Sequence, residues 1–364
     1  MSALLSVILA TFIIASVVMT VLLTRTASPN QPAKPTTTAV ITVTPSFTTT
    51  LINETPIAPS TQVIKTTQIT NKYDVGFGPA GIAINTSGNI WVTNLYSDSL
   101  SQIYPSGANF VLRTFNNDQK GPSGIAIDAG GNIWTTNPHN NSVSMFNPTG
   151  HLITVFPVKY YPLGIVISSS GYIWVTNYTN STITQIDPGG NIIGAFQAGQ
   201  DPMGIAIDAS GNIWVTNPRS NTVTKLTSNG VKLNSYPAGD YPMGIAIDPS
   251  GNVWVSDFSG NTITELNGNG AIIKKYQIGN EPAAISIDSV GNIWIASFNS
   301  DTVSELNPVT QIARIFSVQN APTGILIDTY GNVWVTNGNS NTVTKLTKVT
   351  TGPQYFPYIG PQFP

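Results

Sequence analysis

Between residues 68 and 349 the apolar positions fall in short runs of about five, broken by Gly, Asn, Asp and Ser. The run from Pro202 to Leu226, PMGIAIDASGNIWVTNPRSNTVTKL, shows the pattern most clearly. GIAID is apolar at nearly every position, as expected of a strand covered on both faces. An Asp-x-x-Gly-Asn turn follows, in which Asp can bond backbone amides ahead of it and Gly supplies the left-handed residue. NIWVTN alternates, with Ile and Val on one face and Trp and Thr on the other, and NTVTKL reads as a third strand. A Gly turn at Ser228–Gly230 leads to a fourth strand that ends in an aromatic.

The phrase recurs. All seven tryptophans, Trp91, Trp134, Trp174, Trp214, Trp254, Trp294 and Trp334, occupy the same place in it, with a first interval of 43 residues and five of 40. Four strands per repeat at this period predict an all-β, seven-bladed propeller of four-stranded blades, each Trp packed between neighbouring blades. The aromatic of the fourth strand lies six residues before the leading proline at Phe156, Phe196, Tyr236, Tyr276 and Phe316. Phe115 takes the role one residue earlier, in the repeat that carries three extra residues. Tyr73 stands at the same offset before Pro79 with no full repeat ahead of it, and the last copy stops after its third strand. The strand around Tyr73 is therefore predicted to complete the seventh blade beside Val343, which pairs both open sheet edges.

The rest of the chain divides into three parts. Residues 1–25 contain the apolar run Ala3–Leu23, whose 21 residues at about 1.5 Å each would cross a hydrocarbon layer of roughly 30 Å. It lacks the basic start and short apolar stretch of a cleavable leader, so one transmembrane helix is the expectation and a cleaved signal the alternative. Residues 26–66 are rich in Thr and Pro, the composition of an extended surface stalk. Arg25 and Lys34 follow the apolar run and argue for a cytoplasmic domain, but the stalk argues for one outside the cell, where we expect it. Sequons occur at Asn53, Asn85, Asn140, Asn177 and Asn180. The propeller occupies 67–349, and 350–364 is a tail carrying Tyr355, Phe356, Tyr358 and Phe363 among prolines.

Only 9% of residues are charged, with 15 Lys+Arg against 17 Asp+Glu, and there is no cysteine. No basic face is available for nucleic acid. Surface polarity rests on Asn, Thr and Ser, which hydrate alike at any pH and would suit an acidic exterior. A full propeller core does not need disulfides.

P-x-G-I-A-I-D-x-x-G-N-I-W-V-T resembles the repeat shared by the virginiamycin B lyase (streptogramin lyase) family and the NHL-repeat propellers, over residues 68–349. The resemblance to the lyases implies a magnesium-assisted elimination that opens a cyclic depsipeptide, with His and Glu on late blades. This chain departs from that pattern: its two histidines, His139 and His151, both lie in the second repeat. The position three after Trp, where lyase repeats tend to carry Glu, holds Asn94, Asn137, Asn177, Asn217, Asp257, Ser297 and Asn337. No catalytic residue transfers to a matching position.

Loops joining strands two and three, and those joining strand four to the next blade, should share one face around the channel mouth, where small ligands usually bind. The candidate ligand-binding residues there are Tyr96, His139, Tyr160, Tyr161, Tyr178, Arg219, Tyr241, Phe258 and Phe298, with Asp118 and Lys120 on the lengthened loop. Rings and amides together suit a glycan, a peptide or a neighbouring envelope protein. The expectation is thus a membrane-anchored extracellular binding module without a cofactor. The alternative is a lactonase-like hydrolase or lyase whose divalent metal is held by Asp240, Asp257 and Glu281. A calcium site in the Asp-x-x-Gly-Asn turns is not expected, since each turn offers one carboxylate at most.

Overall fold

The computed structural model describes residues 50–51, 62–65, 70–106, 109–116, 120–158 and 160–347. The apolar run Ala3–Leu23, most of the Thr/Pro stretch, Asp118, Asn53 and the aromatic tail lie outside the described residues. Among the described residues no helix is long and apolar enough to cross a membrane.

Seven antiparallel sheets follow one another along the chain. The first runs through Pro79–Ile84, Ile90–Asn94, Ser99–Ser106 and Asn109–Asn116, and the next four repeat that order up to Gln277. The sixth is built from Pro282–Ile287, Ile293–Ser297, Thr302–Asn307 and Ile312–Ser317. The seventh takes Pro322–Ile327, Val333–Asn337 and Thr342–Leu346 from the end of the chain and Thr70–Asp74 from its beginning. Tyr73 pairs with Val343 in that closure, and its ring stacks on Trp334 at 5.5 Å. The molecule is the expected seven-bladed propeller.

Two features differ from the expectation. The first strands are half-buried rather than covered on both faces, because they line the centre of the ring; the second strands are the fully buried ones. In addition, Gln62–Lys65, read as linker, runs parallel to Ile312–Ile315 and is itself joined by Thr50–Leu51. The outer edge of the sixth sheet offers unpaired N–H and C=O groups that such a segment satisfies.

Each indole is packed between blades, and five of the seven are clipped there by a hydrogen bond to an aspartate. Trp254, for example, clusters with Ile285, Ile293 and Leu306 of the next blade. In five blades the aspartate that opens the first turn accepts the indole N–H: Asp128 from Trp134 at 2.9 Å, Asp208 from Trp214 at 3.0 Å, Asp248 from Trp254 at 3.0 Å, Asp288 from Trp294 at 3.1 Å and Asp328 from Trp334 at 2.9 Å. The other carboxylate oxygen takes the amide of the turn asparagine, as Asp208 does from Asn212 at 2.8 Å. One side chain therefore shapes the hairpin and satisfies a donor that burial would otherwise strand.

Neighbouring blades are also tied near the axis. In the first four blades the threonine two after Trp accepts from the glycine of its own first strand and donates to a carbonyl of the next blade, as Thr216 does to Met243 O at 2.7 Å, and Ser256 does the same in the fifth. That glycine is required, since a Cβ on Gly204 would collide with the Met243 carbonyl oxygen. The sixth blade replaces both partners together, with Ala284 and Ala296.

At the opposite end of the second strand, an Asn or Asp side chain reaches the N–H of the residue before the next blade's leading proline. Asp98 holds Gly121, Asn141 holds Tyr161, Asn221 holds Tyr241, Asn261 holds Glu281, Asp301 holds Ala321 and Asn341 holds Gly78, all at 2.8–2.9 Å. The last of these seals the ring. The non-glycine residues so held have φ between 52° and 59°, a left-handed backbone costing roughly 1–2 kcal/mol each, which the latch offsets.

The seam at Tyr73 is expected to control folding as a whole. Removing residues 1–75 should leave Val343 on an open edge and replace a single cooperative urea transition by a broad one with aggregation. Removing residues 1–61 should keep the transition sharp.

Candidate functional site

The predicted loop face exists, and it gathers most of the predicted residues into one arc. Tyr96, His139, Tyr178, Arg219, Phe258 and Phe298 come from the loops after the second strands, and Tyr160, Tyr161 and Tyr241 from the segments entering the third and fifth blades. The rings touch in sequence. His139 lies 6.2 Å from Tyr161, and Tyr161 lies 6.3 Å from Tyr178. Tyr241 lies 6.2 Å from Phe258, and Phe258 lies 6.2 Å from Phe298. The Tyr178 and Tyr241 phenols adjoin and join the two halves of the arc.

The arc is more closed than a ligand-lined mouth would be. Tyr178 is 2% exposed, Phe298 4% and Phe258 9%, so these rings pack the axial region and do not present their faces to solvent. The exposed aromatics lie around them: Tyr96 at 48%, Tyr160 at 45% and Phe77 at 64%. Tyr96 rests over Gly78 and His139 over Gly121, where a Cβ would meet either ring.

Burial raises Tyr178, Tyr161, Tyr241 and Tyr96 above the ordinary phenol value. They are therefore neutral at physiological pH and can both donate and accept. Arg219 approaches Asp201 at 3.9 Å. Burial still lifts the Asp201 carboxyl above the usual range, with Arg219 opposing the shift. Burial likewise lifts Glu281. On the lengthened loop Lys120 pairs with Asp98 at 3.3 Å.

The ring of residues three after Trp is not a solvent-facing set. Asn94, Asn137, Asn177, Asn217, Asp257, Ser297 and Asn337 are all at most 1% exposed. Asn177 donates to Thr182 and Thr184, Asn217 to Thr224 and Asn337 to Thr342 and Thr344, so the amides tie the second strand to the third. Its burial also removes Asn177 as a glycan acceptor in the folded propeller, whereas the sequon asparagine Asn140 is exposed.

Asp257 belongs to the same framework. Its Oδ1 accepts from Gly239 N at 2.9 Å, and its Oδ2 accepts from Thr262 at 2.8 Å and Thr264 at 2.6 Å. Asp240 instead accepts from Asn221 at 3.2 Å on the exposed rim. The alternative metal trio of Asp240, Asp257 and Glu281 is not brought together, and among the described residues no three His, Asp or Glu side chains converge to hold a metal. His151 lies in a turn between outer strands, away from the arc, with its N–H bonded to Asn147.

Sequence reasoning missed two sets of working residues. The turn aspartates predict a hairpin from sequence alone, and it is their constant offset of six from Trp that brings carboxylate to indole. The latch residues Asn141, Asn221, Asn261 and Asn341 recur just before the third strand, yet their partners lie on the next blade.

A sequence profile of the virginiamycin B lyase family matches residues 62–346. The chain belongs to the virginiamycin B lyase family. A streptogramin B lyase structure superimposes with a TM-score of 0.71 at 22% identity, covering 77% of this chain and 97% of that one. Virginiamycin B lyase from Staphylococcus aureus gives 0.70 at 19%, covering 77% and 99%. The WD40 β-propeller domain of Doa1 gives 0.69 at 9%, covering 78% and 97%. Identities this low speak to the fold alone. No curated protein sequence matches.

The buried carboxyls fix a pH response. Burial raises Asp257, Asp201, Glu265 and Glu281, so above the ordinary carboxylate range the folded state holds more protons than the unfolded chain. Mild acid therefore stabilises it, and that contribution is lost as pH rises through the raised values. Asp128 and Asp208 act in the other sense. Burial would raise them, but bonds from the Trp indoles and turn asparagines outweigh it and hold both below the ordinary value. Their contribution disappears as pH falls through those depressed values. Thermal unfolding should move to higher temperature as pH falls from neutral toward the ordinary carboxylate range, and move back down as pH falls below that range. Asp257→Asn, which copies the sibling blades, should flatten the first limb and leave the second.

Proposed function

We propose that this propeller is a binding module whose loop face recognises a neutral, hydroxyl- or amide-rich partner: a glycan, a peptide or an envelope protein. The observation that carries the reading is the arc of neutral phenols and aromatic rings. Its members Tyr178, Phe258 and Phe298 are fixed in the interior, while Tyr96, Tyr160 and Phe77 stand exposed around them. Packed inner rings make a rigid floor, and rigid aromatics contribute contact area at small conformational cost. Exposed rings can stack on sugar or peptide faces, and the Asn- and Ser-rich loops can bond hydroxyls and amides. Arg219 with Asp201 and Lys120 with Asp98 offer paired rather than net charge, which favours an uncharged partner.

The site chemistry favours binding over turnover. The ring of positions after Trp is committed to strand-to-strand bonds, and the arc carries one histidine, His139, set against a phenol and not a carboxylate. The family's solved members include a catalytically inactive virginiamycin B lyase from Staphylococcus aureus with quinupristin, but elimination by this chain would need a general base oriented by a partner, and His139 has no carboxylate beside it. A lactonase-like hydrolase or lyase remains the second reading, favoured by the raised carboxyls of Asp201 and Glu281 near the axis.

We further propose that Ala3–Leu23 anchors the chain in a membrane and that the Thr/Pro stretch holds the propeller outside the cell. The support is compositional: an uncharged apolar run followed by stalk-like sequence. Protease added to intact cells should then release a fragment of the propeller's size.

A glycan and peptide array probed with residues 67–364 tests the face. Tyr96→Ala and Tyr160→Ala should each weaken retained partners by about 1–2 kcal/mol, the worth of a stacked exposed ring, without moving the thermal midpoint. If neither change alters any interaction, this surface is not the binding face.

A further inference from the structure

The junction between the third and fourth blades departs from the repeat at both ends. At the aspartate turn, the third blade carries Ser168-Ser-Ser-Gly-Tyr172 where the second, fourth, fifth, sixth and seventh blades carry Asp-x-x-Gly-Asn. Ser168 Oγ still accepts the N–H of Tyr172 at 3.0 Å, which reproduces the turn-forming half of the aspartate. The other half is missing. No described residue accepts the Trp174 indole N–H, although Trp174 is only 1% exposed.

At the opposite end, Ser181 stands where the other blades have the latch Asn or Asp, and it is too short to hold Asp201 as Asn221 holds Tyr241. The packing is opened to match. Trp174 and Phe196 meet at 46°, whereas the corresponding pairs in the second blade and the fourth to seventh blades meet at 14–32°.

A cavity of about 730 Å³ lies at this junction. Trp174 and Ser168 line it together with Tyr172, Phe196, Asp208 and Ser228. We propose that it is a binding site for a small uncharged amide, whose carbonyl oxygen takes the Trp174 indole N–H in place of the absent aspartate oxygen. The Trp174 N–H opens into this cavity, where a ligand oxygen would replace water as its acceptor, and inside a partly enclosed site such a bond is stronger than in bulk water. The acceptor is a neutral one, because the lining holds no Lys or Arg and the Asp208 carboxylate forms part of the wall. That carboxylate is itself occupied by Trp214 and Lys225, at 3.0 Å and 3.4 Å. The ligand carries an apolar group, since Ile167, Ile193, Phe196 and Ile207 give part of the wall an apolar surface, beside the polar Gln185 and Asn229. The Ser168 and Ser170 hydroxyls are bonded to each other at 3.2 Å and take no part in holding the ligand.

The site is on the face opposite the aromatic arc, so its failure would leave the loop-face reading standing, and the reverse also holds.

Full-length protein carrying ¹⁵N-labelled indoles tests the proposal, with Trp174→Phe assigning the resonance. N-acetyl-L-phenylalaninamide should shift the Trp174 indole N–H signal and leave the other six in place. Ser168→Asp restores the repeat's own acceptor without endangering the fold, and it should weaken the probe roughly tenfold, the worth of one good hydrogen bond. Ser168→Ala leaves the indole free and should retain binding. N-acetyl-L-phenylalanine, with its carboxylate, should bind more weakly than the amide. An unmoved Trp174 signal, equal affinity in Ser168→Asp, or tighter binding of the carboxylate would each overturn the assignment.

Discussion

An indole wedged between two twisted sheets is the contact on which this molecule depends. Seven sheets can form a ring only if each meets the next at a fixed angle, and a rigid bicyclic side chain of constant size sets that angle. All seven are at most 4% exposed, and apart from Trp91 and Trp174 their N–H groups are also met by an aspartate that is already shaping a turn. The glycine and threonine near the axis and the asparagine at the loop face then act at smaller radius and at the rim. Each tie acts at a different distance from the centre, so together they resist both splaying and rotation of a blade.

Much of this was legible without coordinates because repetition averages out local ambiguity. One copy of NIWVTN could be several things; seven copies at a 40-residue spacing leave one architecture, and the missing fourth strand pointed to Tyr73. What the sequence did not disclose were contacts across the strands of one copy and between different copies. Asn217 looks like a free polar group after a strand, yet it is buried and bonded to Thr224. Its role depends on the hairpin register, which sets Asn217 opposite Thr222 and brings Thr224, two residues on along the same face, within reach. Phe258 and Phe298 sit in loops, where exposure is the ordinary expectation, but convergence of loops on an axis covers them. A period read along the chain carries no information about crowding near the axis.

Departures from the repeat are informative for the same reason. Where Gly and Thr change together, as at Ala284 and Ala296, two small apolar groups replace a bonded pair and the contact is simply reset. Where Asp gives way to Ser168 without compensation by another acceptor, the framework is left incomplete. Membership of the virginiamycin B lyase family accounts for the frame; it is these irregularities, together with the aromatic arc, that belong to this chain.

The seam has a consequence for how the protein comes into being. Tyr73 leaves the ribosome early, whereas Val343, beside which it lies, is made some 270 positions later. At about 5–20 residues per second, this first-made segment waits on the order of a quarter to a full minute for its mate. Through that interval six sheets can stack as a growing arc with both flanks bare, so biosynthesis, more than the finished disc, is where this protein is exposed to mispairing.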